Sequence, residues 1–138
     1  MKQHFFTNNN GASKSVMNGP ILIVDDERHA REALMDILET VGIPTYSAKN
    51  AREGIQLYQT HFQEIKLVVL DMRLPEMDGI HVLHSLRHIN PSVRAIVASG
   101  FDVRDIGEQF ANDPTVHVLQ KPFDMDRFLQ AVKSVLSS

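Results

Sequence analysis

The sequence predicts an α/β domain built on a doubly wound, five-stranded parallel sheet. Three observations predict it. Strand-length runs recur five times between Ile21 and Leu119, and those at Ile21 to Val24 and Leu67 to Leu70 are continuously apolar, as strands buried on both faces should be. Stretches with apolar residues at helical spacing follow them. Aspartates, a serine and a lysine stand at the ends of four of the five runs, where folds of this class place a ligand. A chain of 138 residues suits one domain, and 43% hydrophobic with 22% charged residues is a globular balance.

Residues 1–19 read as a polar, turn-prone tail containing Asn8, Asn9, Asn10, Gly11, Ser13 and Ser15, either a docking arm or a loose extension. Residues 20–138 read as the domain. Ile21 to Val24 is the first strand. Ala30, Ala33, Leu34, Ile37, Leu38 and Val41 mark one face of the helix that follows, and Gly42 stops it. Pro44 to Ala48 forms the second strand. Asn50, with Glu53 three residues on, is the sequence of a capping box opening a helix through Ile55 and Tyr58. Lys66 to Leu70 is the third strand, with Pro75 and Gly79 as turn formers after it, and Val82, Leu83 and Leu86 give a short helical stripe. Val93 to Ala98 is the fourth strand, followed by a weak helix over Val103 to Phe110 that contains Gly107. Val116 to Leu119 is the fifth strand. Asp124 caps a last helix whose apolar face is Phe128, Leu129, Val132, Val135 and Leu136. Right-handed crossovers favour the strand order 2-1-3-4-5, with a ligand site at the ends of the first and third strands.

Composition excludes several classes of function. Without cysteine there is no disulfide, thiol nucleophile or thiolate metal site. A spanning helix needs about 20 apolar residues, whereas runs such as Leu67 to Leu70 are far shorter, so membrane insertion is not expected. The opening Met1-Lys2-Gln3-His4-Phe5-Phe6 has no apolar signal core. The first 20 residues carry +2 and the remainder −5, and an acidic body with no basic stripe argues against direct nucleic-acid binding.

The chemistry collects at the strand ends. Asp25, Asp26 and Glu27 follow the first strand, Asp71 the third, Ser99 the fourth and Lys121-Pro122 the fifth. At 4 Å a like-charged pair costs about 4 kcal/mol at an effective dielectric near 20. Gathered carboxylates therefore demand a proton or a cation. Hard oxygen donors favour Mg²⁺, which keeps waters and accepts phosphate oxygens. Lys121 adds a point charge for an anion and Ser99 a hydroxyl donor. This is the equipment of phosphoryl transfer, with Asp71 as the nucleophile that forms an acyl phosphate. No G-x-x-x-x-G-K-[ST] or G-x-G-x-x-G loop offers another phosphate site. Taken singly, an aspartate at a strand end is usually a turn residue and a lysine a solvated charge. Their joint placement carries the argument.

I-L-I-V-D-D-E, V-V-L-D-M-R-L-P-E-M-D-G, V-A-S-G-F and Q-K-P-F occur in that order, each at an expected strand end. With them the span from about Ile21 to Leu136 resembles the response-regulator receiver family of two-component signalling, which has a flavodoxin-like fold. The resemblance implies Asp71 as phosphoacceptor, Asp26 as the main acidic Mg²⁺ ligand, Asp25 acting mostly through water, and the backbone carbonyl of Arg73 completing the metal site. It implies that Ser99 and Lys121 contact the phosphoryl oxygens and that the Lys121–Pro122 peptide is cis. It also implies a cytoplasmic protein partnered by a histidine kinase or histidine phosphotransfer protein and by a downstream protein target.

Two other readings compete: a receiver-like interaction module independent of phosphorylation, and a small phosphatase of the haloacid dehalogenase type. The intact set of Asp25, Asp26, Asp71, Ser99 and Lys121 opposes the first. The second needs an acid two residues after its nucleophile, where Arg73 stands. His81, His84 and His88 share a helical face at i, i+3 and i+7, expected to be solvated rather than metal-bound. Many receivers carry an aromatic ring three residues before the last-strand lysine. Here that residue is Val118, with His117 as a substitute were the register shifted by one. The output is therefore expected to run through Gly100 and Phe101 into the helix near Val103 to Phe110. The surface shared with the last strand and helix is where receivers dimerise or dock.

Overall fold

The computed structural model describes residues 19–101 and 103–137. It is a five-stranded parallel sheet in the order β2-β1-β3-β4-β5, as expected. The elements in chain order are β1 (Ile21–Val24), α1 (Arg28–Thr40), β2 (Thr45–Ala48), α2 (Ala51–His61), β3 (Leu67–Asp71), α3 (Gly79–Ile89), β4 (Ala95–Ser99), α4 (Val103–Gln109), β5 (Val116–Gln120) and α5 (Met125–Leu136). The expected tail lies outside the described residues except for Gly19, which is buried. A Cβ there would sit 2.7 Å from the carbonyl oxygen of Glu64 and closer still to the Lys66 side chain, so packing against the segment that leads into β3 requires glycine.

Alternation along the strands makes two cores. Leu22, Val24, Val68, Leu70 and Val97 face one way and pack with Tyr58, Val82, Leu86 and Ile106 of α2, α3 and α4. Ile21, Ile23, Leu67, Val69 and Ile96 face the other way and meet Leu34, Leu38, Phe128 and Val132 of α1 and α5. The central strands are buried on both faces, which is why they read as unbroken apolar runs.

The helix boundaries follow from capping chemistry. Asn50 accepts the Glu53 N–H at 2.8 Å, and Glu53 reaches back to the N–H of Lys49 at 3.0 Å, one residue before the expected partner. Asp124 accepts the Arg127 N–H at 2.8 Å. Gly42 ends α1 at φ 79°, with its N–H on the Glu39 carbonyl and that of Ile43 on the Leu38 carbonyl, a Schellman closure. The register pairs Ile96 with His117 and Val97 with Val118. Val118 therefore belongs to the face that carries α4, and His117 points to the opposite face, so the histidine does not stand in for the missing ring.

Candidate functional site

The crossovers place the carboxyl ends of β1, β3, β4 and β5 along one sheet edge. Asp71 is the last residue of β3 and Ser99 the last of β4, while Asp25 and Asp26 directly follow β1. Oxygens of Asp25, Asp26 and Asp71 lie within 4.8 Å of one another, the only such acidic or imidazole trio among the described residues. Asp25 and Asp71 are 5% and 8% exposed, whereas Asp26 faces solvent.

Lys121, just past β5, reaches into this cluster. Its Nζ lies 3.1 Å from Oδ1 of Asp71 and 3.9 Å from Oδ2 of Asp25. The Lys121 N–H is bound to the Ser99 carbonyl at 2.8 Å, and the Lys121–Pro122 peptide is cis, as expected. Asp71 also accepts the Arg73 N–H at 3.3 Å. Burial pushes the Asp25 carboxyl above its ordinary pKa. The Glu27 N–H, 2.9 Å away, opposes the rise, the Asp71 charge adds to it, and Lys121 only partly offsets it. A carboxylate whose charged form is disfavoured in this way is relieved by a cation, and three hard oxygens suit a magnesium-like ion.

Ser99 is 3% exposed. Its Oγ donates to the Phe101 carbonyl and accepts the Phe101 N–H at 3.1 Å, so the hydroxyl is tied to the β4–α4 loop. The expected site residues thus come together, with Ser99 turned to its own loop. A cavity of about 180 Å³ opens beside Asp25, Asp71 and Lys121, walled by Ala30, Leu34, Ile37 and Phe123.

Three contacts at the site escaped the sequence reading. Arg31 donates to the backbone carbonyl of Asp25 at 2.8 Å, pinning the acidic loop from the second turn of α1. The only trace of it in sequence is a cation six residues past Asp25, a weak signal on a polar helix face. Arg73 lies over the ring of Phe101, 4.9 Å from its centre, and Phe101 is 64% exposed at the mouth of the site. Gly79, expected as a turn former, is instead the first residue of α3, capped by Asp78. A Cβ on Gly79 would stand 2.8 Å from the Asp71 carbonyl oxygen and 3.2 Å from the Met72 Cα. Both are backbone atoms that cannot swing aside. Gly79→Ala is expected to cost about 1–3 kcal/mol as overpacking and to slow chemistry at Asp71 by moving its backbone. Urea denaturation with wild-type stability would refute the close-packing argument.

Residues 21–133 match the response regulator receiver domain family. The chain is 31% identical over 121 residues to sporulation initiation phosphotransferase F of Bacillus subtilis, covering 88% of this chain and 96% of that one. It is likewise 31% identical over 118 residues to the chemotaxis protein CheY of B. subtilis, covering 85% and 97%. Among solved structures, it is similar to a chain of the CheX–CheY–BeF₃–Mg²⁺ complex of Borrelia burgdorferi. The TM-score is 0.78 at 28% identity, over 85% of this chain and 88% of that one.

Proposed function

The chain belongs to the response regulator receiver domain family, and from that membership we propose that Asp71 accepts a phosphoryl group from the phosphohistidine of a histidine kinase or histidine phosphotransfer protein. Receiver domains are signalling phosphoacceptors of two-component systems rather than classical enzymes, and they bind Mg²⁺ at an aspartate cluster. One observation carries the reading: a buried Asp71 carboxylate held 3.1 Å from a lysine and clustered with two further aspartates.

In the proposed transfer a carboxylate oxygen of Asp71 forms a bond to phosphorus, the P–N bond to the donor imidazole breaks, and the imidazole leaves with that electron pair. Asp25, Asp26, Asp71 and the carbonyl of Arg73 would hold Mg²⁺, which when bound neutralises charge on the phosphoryl oxygens. Lys121 exchanges its ion pair with Asp71 for one with the phosphoryl group. Ser99 releases Phe101 and donates its hydroxyl to a phosphoryl oxygen. The protein then acts in the cytoplasm on a downstream protein target, with residues 20–138 as the signalling unit and no direct contact with nucleic acid. Incubation with acetyl phosphate and Mg²⁺ tests the reading by intact mass. One stable phosphoryl group per chain supports it, no labelling favours the phosphorylation-independent module, and rapid release of phosphate from a phosphate ester supplied in a parallel assay favours a phosphatase.

Lys121→Ala is expected to uncouple binding from switching. Beryllofluoride would still be held by the carboxylates and metal, but the cationic contact that pulls the loops inward is gone. Chemical shifts beyond the site should then stay near their resting values. A full wild-type response in this variant would remove Lys121 from the switch.

The output we propose runs from Ser99 through Gly100 and Phe101 into α4. That helix has seven residues, Gly107 in its interior, and Ile106 as its buried residue, so little holds it in one position. Val118 on the α4 face is β-branched and has no ring to swing. Beryllofluoride should raise amide exchange or shift resonances over α4, β5 and α5, the face proposed for docking or dimerisation. If those residues stay unchanged while another surface responds, this route is wrong.

A further inference from the structure

Helix α3 carries a second cluster of chemistry-bearing side chains that the phosphoryl-transfer site does not use. His81, His84 and His88 all lie on its exposed face, while Val82, Leu83 and Leu86 fill the core. The Nδ1 of His81 donates to Oδ1 of Asp78 at 2.8 Å, and that carboxylate is fixed as the cap of α3 by the His81 N–H at 2.9 Å. In the neutral ring this leaves Nε2 of His81 with its lone pair free. A carboxylate behind an imidazole is the arrangement that orients metal-binding histidines and raises their basicity. The rings of His81 and His84 have centres 6.4 Å apart and planes at 69°. With metal–nitrogen bonds of about 2.0–2.1 Å, a tetrahedral ion holds two imidazole ring centres roughly 5 Å apart, so the exposed His84 ring turns in by about 1 Å to share an ion with His81.

We propose that His81 and His84 form a surface site for a borderline transition-metal ion of the Zn²⁺ class, with water completing the coordination and Asp78 positioning His81. Imidazole nitrogens select such an ion over Mg²⁺, which the oxygen cluster around Asp71 prefers. The two sites therefore sort cations by ligand chemistry. His88 belongs to the next turn. It donates its Nδ1 to the His84 carbonyl at 2.9 Å and is not needed for the pair.

The full chain is titrated with Zn²⁺ by calorimetry in excess Mg²⁺, which occupies the carboxylate cluster, and with Co²⁺ to read nitrogen ligation in the visible spectrum. Saturable uptake of one ion is expected. His81→Ala and His84→Ala are surface changes that should each weaken it tenfold or more. Asp78→Asn keeps a good helix cap and removes the charge behind His81. It should weaken binding by about tenfold, and full affinity there would overturn the positioning role. No saturable uptake, uptake unchanged in the His81 and His84 variants, or loss confined to His88→Ala overturns the site.

Discussion

Asp71→Asn is expected to abolish stoichiometric phosphorylation while the chain keeps its fold. Asparagine has the same shape, and its side-chain oxygen can still accept from Lys121 and from the Arg73 N–H, the two partners of Asp71 Oδ1. Three like charges with oxygens within 4.8 Å become two, which offsets the lost ion pair with Lys121. What disappears is the nucleophile, because a neutral amide does not attack phosphorus as a carboxylate does. Intact mass after exposure to acetyl phosphate and Mg²⁺ should show the unmodified chain, and denaturation should show stability within about 1 kcal/mol of wild type. One phosphoryl group per variant chain would place the acceptor elsewhere. The neighbouring carboxylates are the obvious alternatives, so peptide mapping would then follow.

The parts of this fold that sequence made legible are those set by periodicity and by local capping. β1 and β3 are unbroken apolar runs because both faces are covered, and Gly42 and Asp124 act on backbone a few residues away. The joint placement of Asp25, Asp26, Asp71, Ser99 and Lys121 followed from the strand order, since the fold puts every strand's carboxyl end on one edge. What stayed hidden depends on approach through space. The need for glycine at position 79 arises from the Asp71 carbonyl eight residues earlier, and Arg31 is chosen by the position of a backbone oxygen. The stacking of Arg73 on Phe101 joins two loops 28 residues apart, with no pattern in either loop to announce it. Sequence offers Ser99 as a hydroxyl donor for a phosphoryl oxygen, yet that hydroxyl is engaged by the backbone of Phe101. Switching must therefore break local hydrogen bonds as well as form new ones.

Asp25→Asn is expected to stabilise the metal-free protein at neutral pH, because it removes a charge that burial and the neighbouring Asp71 both disfavour. Asp25 is 5% exposed, and its folded-state pKa is raised, first by burial and then by the charge of Asp71. Below the ordinary carboxylate value of 3.8 the residue is protonated in both folded and unfolded chains, so it adds no penalty there. As pH climbs above that value the unfolded chain ionises first. The folded chain then binds more protons than the unfolded one, and this residue's contribution to stability falls until the raised folded pKa is passed. Above that point the penalty is constant. Asparagine has no such transition and retains an oxygen for the Glu27 N–H. Urea denaturation in the presence of a chelator should thus give curves that nearly coincide near pH 3 and separate as pH rises, with the variant the more stable. Excess Mg²⁺ should reverse the order, because an ion that binds only the folded state stabilises it by mass action and the variant has lost a carboxylate that helps hold it. Asp26→Ala separates the two effects. Asp26 is exposed, so its removal should weaken Mg²⁺ binding with little change in metal-free stability. An Asp25→Asn protein that is no more stable than wild type at neutral pH without Mg²⁺ would mean that Lys121 and the Glu27 N–H already compensate the buried charge.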